Sequence, residues 1–189
     1  MKPIKIEIDG KKISTEEGKN LLQVARDNGI DIPGLCYHKK LTPTGACRLC
    51  VVKIENTPGL VMSCTVQVKD GMKVTAFDEE TETNRKHTLS YLLAEHNEEY
   101  DASYEDELRP LLKRYGLDKK ENRNLQPIWQ NIPCVIDDSS PVLTYDSSKC
   151  IKCFRCIKAC EEVQGKGVLS FADRGISKYI VAGFGEWKE

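Results

Sequence analysis

The chain has 189 residues, 40% of them apolar, and its 28 Lys and Arg nearly balance 29 Asp and Glu. That size suits one ordinary domain or two small ones, and without a basic excess to neutralise phosphates a nucleic-acid binder is not expected. No apolar run approaches the about 20 residues of a membrane span, and nine cysteines with no secretion signal ahead of them point to a reducing, cytoplasmic setting where clustered thiols hold metal rather than form disulfides.

Residues 1–78 read as a β-rich unit with one helix. Ile4, Ile6 and Ile8 alternate with polar residues, Asp9-Gly10 is a turn, and Ile13 starts the return strand of a hairpin. Leu21, Leu22, Val24 and Ala25 predict a helix over 20–28, stopped by Gly29. An irregular stretch, 33–50, is rich in Gly and Pro. Strands are predicted over 50–54 and 60–66 around the turn Asn56-Thr57-Pro58-Gly59, and Val74 to Phe77 closes the unit.

Residues 79–133 read as a helical spacer. The acidic start, Asp78 to Glu82, complements a helix dipole. Leu89, Leu92 and Leu93, then Leu108, Leu111 and Leu112, recur at helical spacing, and 117–133 is a polar linker. Residues 134–189 form a second small unit: a strand from Val142 to Tyr145, a cysteine-rich loop, a helical turn from Ala159 to Val163 and a strand from Val168 to Phe171. Trp129 and Trp187 read as packing anchors. No Gly-rich nucleotide fingerprint follows a strand, so no NAD or flavin site is expected, and Gly165-Lys166-Gly167 is a turn.

Eight cysteines fall into two groups. Cys36, Cys47, Cys50 and Cys64 have the pattern C-x10-C-x2-C-x13-C. Cys47 and Cys50 can reach one iron from a single loop, and Cys36 and Cys64 complete the shell of the other, which suits a [2Fe–2S] cluster. Gly45, just before the pair, can take a positive φ and let backbone N–H groups approach the sulfides. A four-thiolate zinc site is the rival, but such sites usually pair two C-x2-C knuckles and only one is present.

Leu35-Cys36-Tyr37-His38, Gly45-Ala46-Cys47-Arg48-Leu49-Cys50-Val51-Val52 and Ser63-Cys64-Thr65 together resemble one iron–sulfur family. It is the N-terminal ferredoxin-like region of the large iron–sulfur subunit of complex I, with related regions in [FeFe]-hydrogenases and NAD-linked formate dehydrogenases. The resemblance runs over nearly the whole chain. It implies an α+β architecture: a β-grasp [2Fe–2S] ferredoxin domain, the spacer, then a small bacterial-ferredoxin-like [4Fe–4S] domain. The family continues into an H-x3-C-x2-C-x5-C cluster motif. Leu92-Leu93-Ala94-Glu95-His96-Asn97 resembles its approach, but Tyr100 and Ser103 stand at cysteine positions, so no cluster is expected there. His96 then reads as a surface or packing residue.

Cys150, Cys153, Cys156 and Cys160 follow C-x2-C-x2-C-x3-C, the bacterial ferredoxin run that wraps a [4Fe–4S] cluster. The fourth ligand stays open. Cys160 folds back onto its own cluster, or Cys134 serves, or the chain is the front part of a larger protein whose remainder supplies it. Cys134 by default is a plain buried thiol. The resemblance implies an electron-transfer subunit with no catalytic site of its own. It would relay single electrons between a flavin/NAD(P)H-oxidising subunit and a catalytic subunit of hydrogenase or formate dehydrogenase type, with ferredoxin as another candidate partner. The alternative is a free-standing soluble ferredoxin-like carrier.

Overall fold

The computed structural model describes residues 2–96, 106–119, 125–128, 134–142 and 144–183. Trp129, Trp187, Tyr100 and Ser103 lie outside them, as does most of the expected linker. The chain divides into two compact units, one of residues 1–39 and 43–88 and one of 40–42 and 89–189.

The first unit is a mixed sheet packed on a helix. Strands β1 (Pro3–Ile8) and β2 (Lys11–Glu16) form the expected hairpin, in the register Ile6 opposite Ile13. Asp9 and Gly10 both take positive φ (48° and 79°), which matches the twist of a two-residue hairpin turn. Helix α1 (Leu21–Asp27) is capped by Asn20, whose side chain accepts from the Gln23 N–H at 3.1 Å. Its residues Leu21, Leu22, Val24 and Ala25 are buried against Ile4, Ile6, Ile8, Ile32 and Val52. Each such aliphatic side chain contributes about 1.5–3 kcal/mol on burial.

Strands β3 (Val51–Ile54), β4 (Val61–Met62) and β5 (Lys73–Thr75) complete the sheet in the order β2-β1-β5-β3-β4. The β1–β5 pair is parallel and the other pairs are antiparallel. The strand expected over 60–66 is cut short after Met62, where Ser63–Thr65 form a 3-10 turn. The Ser63 amide and hydroxyl make the last bonds across to the Cys50 carbonyl, at 3.0 and 2.7 Å. Beyond them the chain turns back on itself, the Thr65 hydroxyl donating to the Met62 carbonyl at 2.9 Å and the Val66 N–H to the Ser63 carbonyl at 3.3 Å.

Helix α2 (Glu79–Glu95) starts on a reciprocal cap. The Thr81 N–H donates to the Asp78 carboxylate, and the Asp78 N–H donates to the Thr81 hydroxyl, both at 2.9 Å. Lys53 bridges Asp78 at 2.8 Å and also reaches Glu80.

The second unit is built from short pieces. Helix α3 (Leu108–Arg114) buries Leu108 and Leu112. Strands β6 (Ile136–Asp137) and β7 (Tyr145–Asp146) pair antiparallel. The strand expected from Val142 therefore begins only at Tyr145. Val142 is 82% exposed, and the preceding Pro141 has no N–H to enter a ladder. Helix α4 (Arg155–Lys158) runs into a π-helical turn over Ala159–Val163. Strand β8 (Leu169–Ala172) pairs with β9 (Tyr179–Ala182), a second strand not expected from the sequence. Among the described residues no helix is long and apolar enough to cross a membrane.

Candidate metal centres

The irregular loop after α1 is held from behind by Arg26. Its guanidinium donates to the Ile32 carbonyl at 3.1 Å and the Gly34 carbonyl at 3.3 Å, and lies 5.9 Å from the Tyr37 ring. This fixes the approach to Cys36. Cys64 is delivered by the 3-10 turn, and its carbonyl accepts from the Asn20 side-chain amide at 2.5 Å. Asn20 thus caps α1 and anchors a candidate ligand at once.

The structure brings Cys36, Cys47, Cys50 and Cys64 together and buries all four. Their thiols hydrogen-bond one another. The Cys47 and Cys64 thiols beside Cys36 pull it down to about 2, and Cys64 pulls Cys50 down to about 7. Cys47 and Cys64 are driven up, first by the same partners and then by burial. Cys36 and Cys50 thus favour thiolate, the form that ligates metal, while Cys47 and Cys64 keep their protons and donate to them.

Backbone donors already face this sulfur group: the Leu35 N–H meets the Cys47 sulfur at 3.4 Å and the Cys47 N–H meets the Cys36 sulfur at 3.5 Å. Gly45 has φ +65°, and a Cβ there would lie 2.9 Å from the Met62 sulfur. Both backbone shape and space favour glycine. A two-iron cluster asks for two thiolates at each iron, and four buried cysteines with backbone N–H groups aimed at their sulfurs fit that donor set.

The second group is looser. Cys150 and Cys153 are half-buried, Cys156 is exposed and Cys160 is buried. The Lys152 N–H donates to the Cys150 sulfur at 3.3 Å. Lys152 and Phe154 both take positive φ (55° and 68°), so the chain coils tightly around this point. Phe154 is a bulky residue in a conformation that side chains avoid, and it stacks edge-on against Phe171 at 4.7 Å. Lys152 reaches Glu95 at 2.8 Å and the Ile176 carbonyl at 2.7 Å.

The Cys160 thiol is lowered by backbone N–H groups of Leu169, Val168 and Gly167. The Gly165–Gly167 segment is a turn, closed by Lys166 N–H to the Cys160 carbonyl at 3.0 Å.

Cys134 is exposed, not the buried thiol expected by default; its S–H points to the Asp146 carboxylate at 3.6 Å. The short β6–β7 ladder supplies too little cover to enclose it. His96 is a packing residue, only 4% exposed. Cysteine spacing gave no signal for Arg26 or for Arg85, a buried cation on α2.

Residues 1–79 match the family described as "2Fe-2S iron-sulfur cluster binding domain". This part of the chain is a 2Fe–2S ferredoxin-type domain within a mixed α/β fold. Over nearly its whole length the chain is homologous to the N-terminal region of iron–sulfur subunits of NADH-quinone oxidoreductase, as its cysteine motifs implied. It is 33% identical over 184 residues to an NADH-quinone oxidoreductase subunit of Rhizobium meliloti (strain 1021), covering 96% of this chain and 21% of the relative. It is 32% identical over 186 residues to the NADPH-Fe(3+) oxidoreductase subunit alpha of Geobacter sulfurreducens, covering 94% of this chain and 21% of the relative. The chain thus spans about a fifth of the length of these relatives. A crystal structure of an NAD+-reducing [NiFe]-hydrogenase in the H2-reduced state contains a chain with TM-score 0.84 and 28% identity, covering 95% of this chain and 74% of that one.

Proposed function

We propose that the chain is the electron-relay part of an oxidoreductase complex. A β-grasp domain would hold a [2Fe–2S] cluster on Cys36, Cys47, Cys50 and Cys64. A bacterial-ferredoxin-like domain would hold a [4Fe–4S] cluster on Cys150, Cys153 and Cys156, with Cys160 the fourth candidate. The assigned segments are 1–78, 79–133 and 134–189, the middle one a spacer whose own cluster motif has decayed. When bound, such clusters carry one electron at a time. The observation that carries this reading is the convergence of four buried, mutually hydrogen-bonded thiols on a loop that also aims amide donors at sulfur.

The protein's own residues exclude water, hold the thiols as a set and supply N–H groups that stabilise negative charge on sulfur. The partners we assign are a flavin/NAD(P)H-oxidising subunit and a hydrogenase- or formate-dehydrogenase-like catalytic subunit in the cytoplasm; the NADH and NADPH oxidoreductase names of the relatives and the NAD+-reducing hydrogenase support the nicotinamide and hydrogenase parts. Anaerobic purification with iron and acid-labile sulfide quantified, followed by low-temperature EPR after dithionite reduction, tests it. One two-iron and one four-iron signal are expected. A colourless protein with zinc and no sulfide would refute the proposal.

A further inference from the structure

The largest fully buried side chain among the described residues is a cation, Arg85 on α2. Burying an unpaired charge costs several kcal/mol, so its partners must be extensive. Its Nε donates to the Leu49 carbonyl at 3.0 Å. Its Nη2 donates to the carbonyls of Val51 at 2.6 Å and Ala76 at 2.8 Å. Its Nη1 meets the Glu82 carboxylate, and the guanidinium lies 4.9 Å from the Phe77 ring centre. Leu49 and Val51 are the two neighbours of Cys50. The planar fork therefore pins the peptide carbonyls on both sides of a candidate ligand, a geometry that an ammonium cannot reproduce.

The pair is electrostatically lopsided. The Arg85 side chain is fully buried, while that of Glu82 is 39% exposed and partly screened by water. The field that reaches the loop is positive. Reduction adds one negative charge to a cluster, and a nearby buried cation favours that state.

We infer that Arg85 is a positioning residue of the first centre that also sets its reduction potential: it ties down the carbonyls flanking Cys50 and places a buried positive charge behind the sulfur group. This rests on the [2Fe–2S] reading of that group.

An EPR-monitored redox titration of the intact chain tests it, with dithionite as the one-electron reductant. Arg85→Gln should lower the reduction constant at least tenfold, a midpoint about 59 mV more negative for one electron. Arg85→Lys, which keeps charge but loses the fork, should fall between wild type and Arg85→Gln. Glu82→Gln should move the midpoint the opposite way, by a smaller factor. A disturbance of packing alone would not give opposite signs at the two partners. Should Arg85→Gln fail to retain a cluster, Glu82→Gln decides: a higher midpoint supports the inference and an unchanged or lower one overturns it. Midpoints within about twofold of wild type in the constant, or shifts of one sign for both variants, also overturn it. A wild-type protein without a two-iron signal would sink the cluster reading and this inference together, whereas a normal signal with unmoved midpoints sinks the inference alone.

Discussion

In the first unit Cys50 and Cys64 are part of the same buried cluster as Ile8, Leu22 and Val52. In the second, Cys156 is exposed, Cys150 and Cys153 are half-buried, and the surrounding elements are strands of two to four residues and a single turn of helix. The first sulfur group is assembled by a hydrophobic core that would exist without it. The second sits on short strands and loops, and on the proposed [4Fe–4S] reading metal–sulfur bonds would supply much of its folding free energy. The difference teaches that like ligand chemistry can be the product of a fold in one place and its cause in another.

That contrast can be broken most directly at Cys153. Cys153→Ser should abolish the second cluster and strip hydrogen-exchange protection from 145–182, while the first unit keeps its spectrum and its strand protection. Unchanged exchange after cluster loss would end the idea that ligation folds the second unit. Next in size, Leu22→Ala should cost about 3 kcal/mol in the first unit, because a fully buried leucine leaves a cavity. Urea unfolding followed by probes in each unit should show the midpoint fall in the first alone.

Asn20→Ala removes both the cap of α1 and the amide held by the Cys64 carbonyl, and should cost about 1 kcal/mol. It should also speed loss of the first cluster to a chelator relative to the second. The smallest effect concerns pH. The hydrogen bond from Lys53 holds the Asp78 carboxyl down at about 2, below its ordinary 3.8. A depressed carboxyl contributes stability that is complete above its unfolded value and fades as pH falls through the folded one. Lys53→Met should therefore weaken the first unit most above about pH 4 and progressively less as pH falls through about 2, as read by thermal unfolding across that range.

Much of this architecture was legible in the chain. The alternation of Ile4, Ile6 and Ile8 and the pair Asp9-Gly10 specify a hairpin through purely local chemistry, and α1 falls where its cap and apolar face place it. What escaped were features with distant partners. The strand over 60–66 stops at Met62 because Ser63–Thr65 close a 3-10 turn, and the Ser63 hydroxyl anchors that turn on a carbonyl thirteen residues earlier. The exposure of Cys134 depends on how little the β6–β7 ladder covers. Strand β9 carries the aromatic and β-branched run Tyr179-Ile180-Val181, but a stretch this short becomes a strand only by pairing with β8.

By itself the sequence determined which side chains could become soft ligands and in what groups, because C-x2-C spacing is set by the reach of a single loop. It also determined the hairpin and the helix caps, which need only neighbouring residues. Only the tertiary structure decided that Cys50 and Cys64 lie inside the hydrophobic core, and that Arg26 and Arg85 brace the cysteine loops. Those pairings link residues far apart in the chain, and burial of a common core, not local preference, brings them within bonding distance.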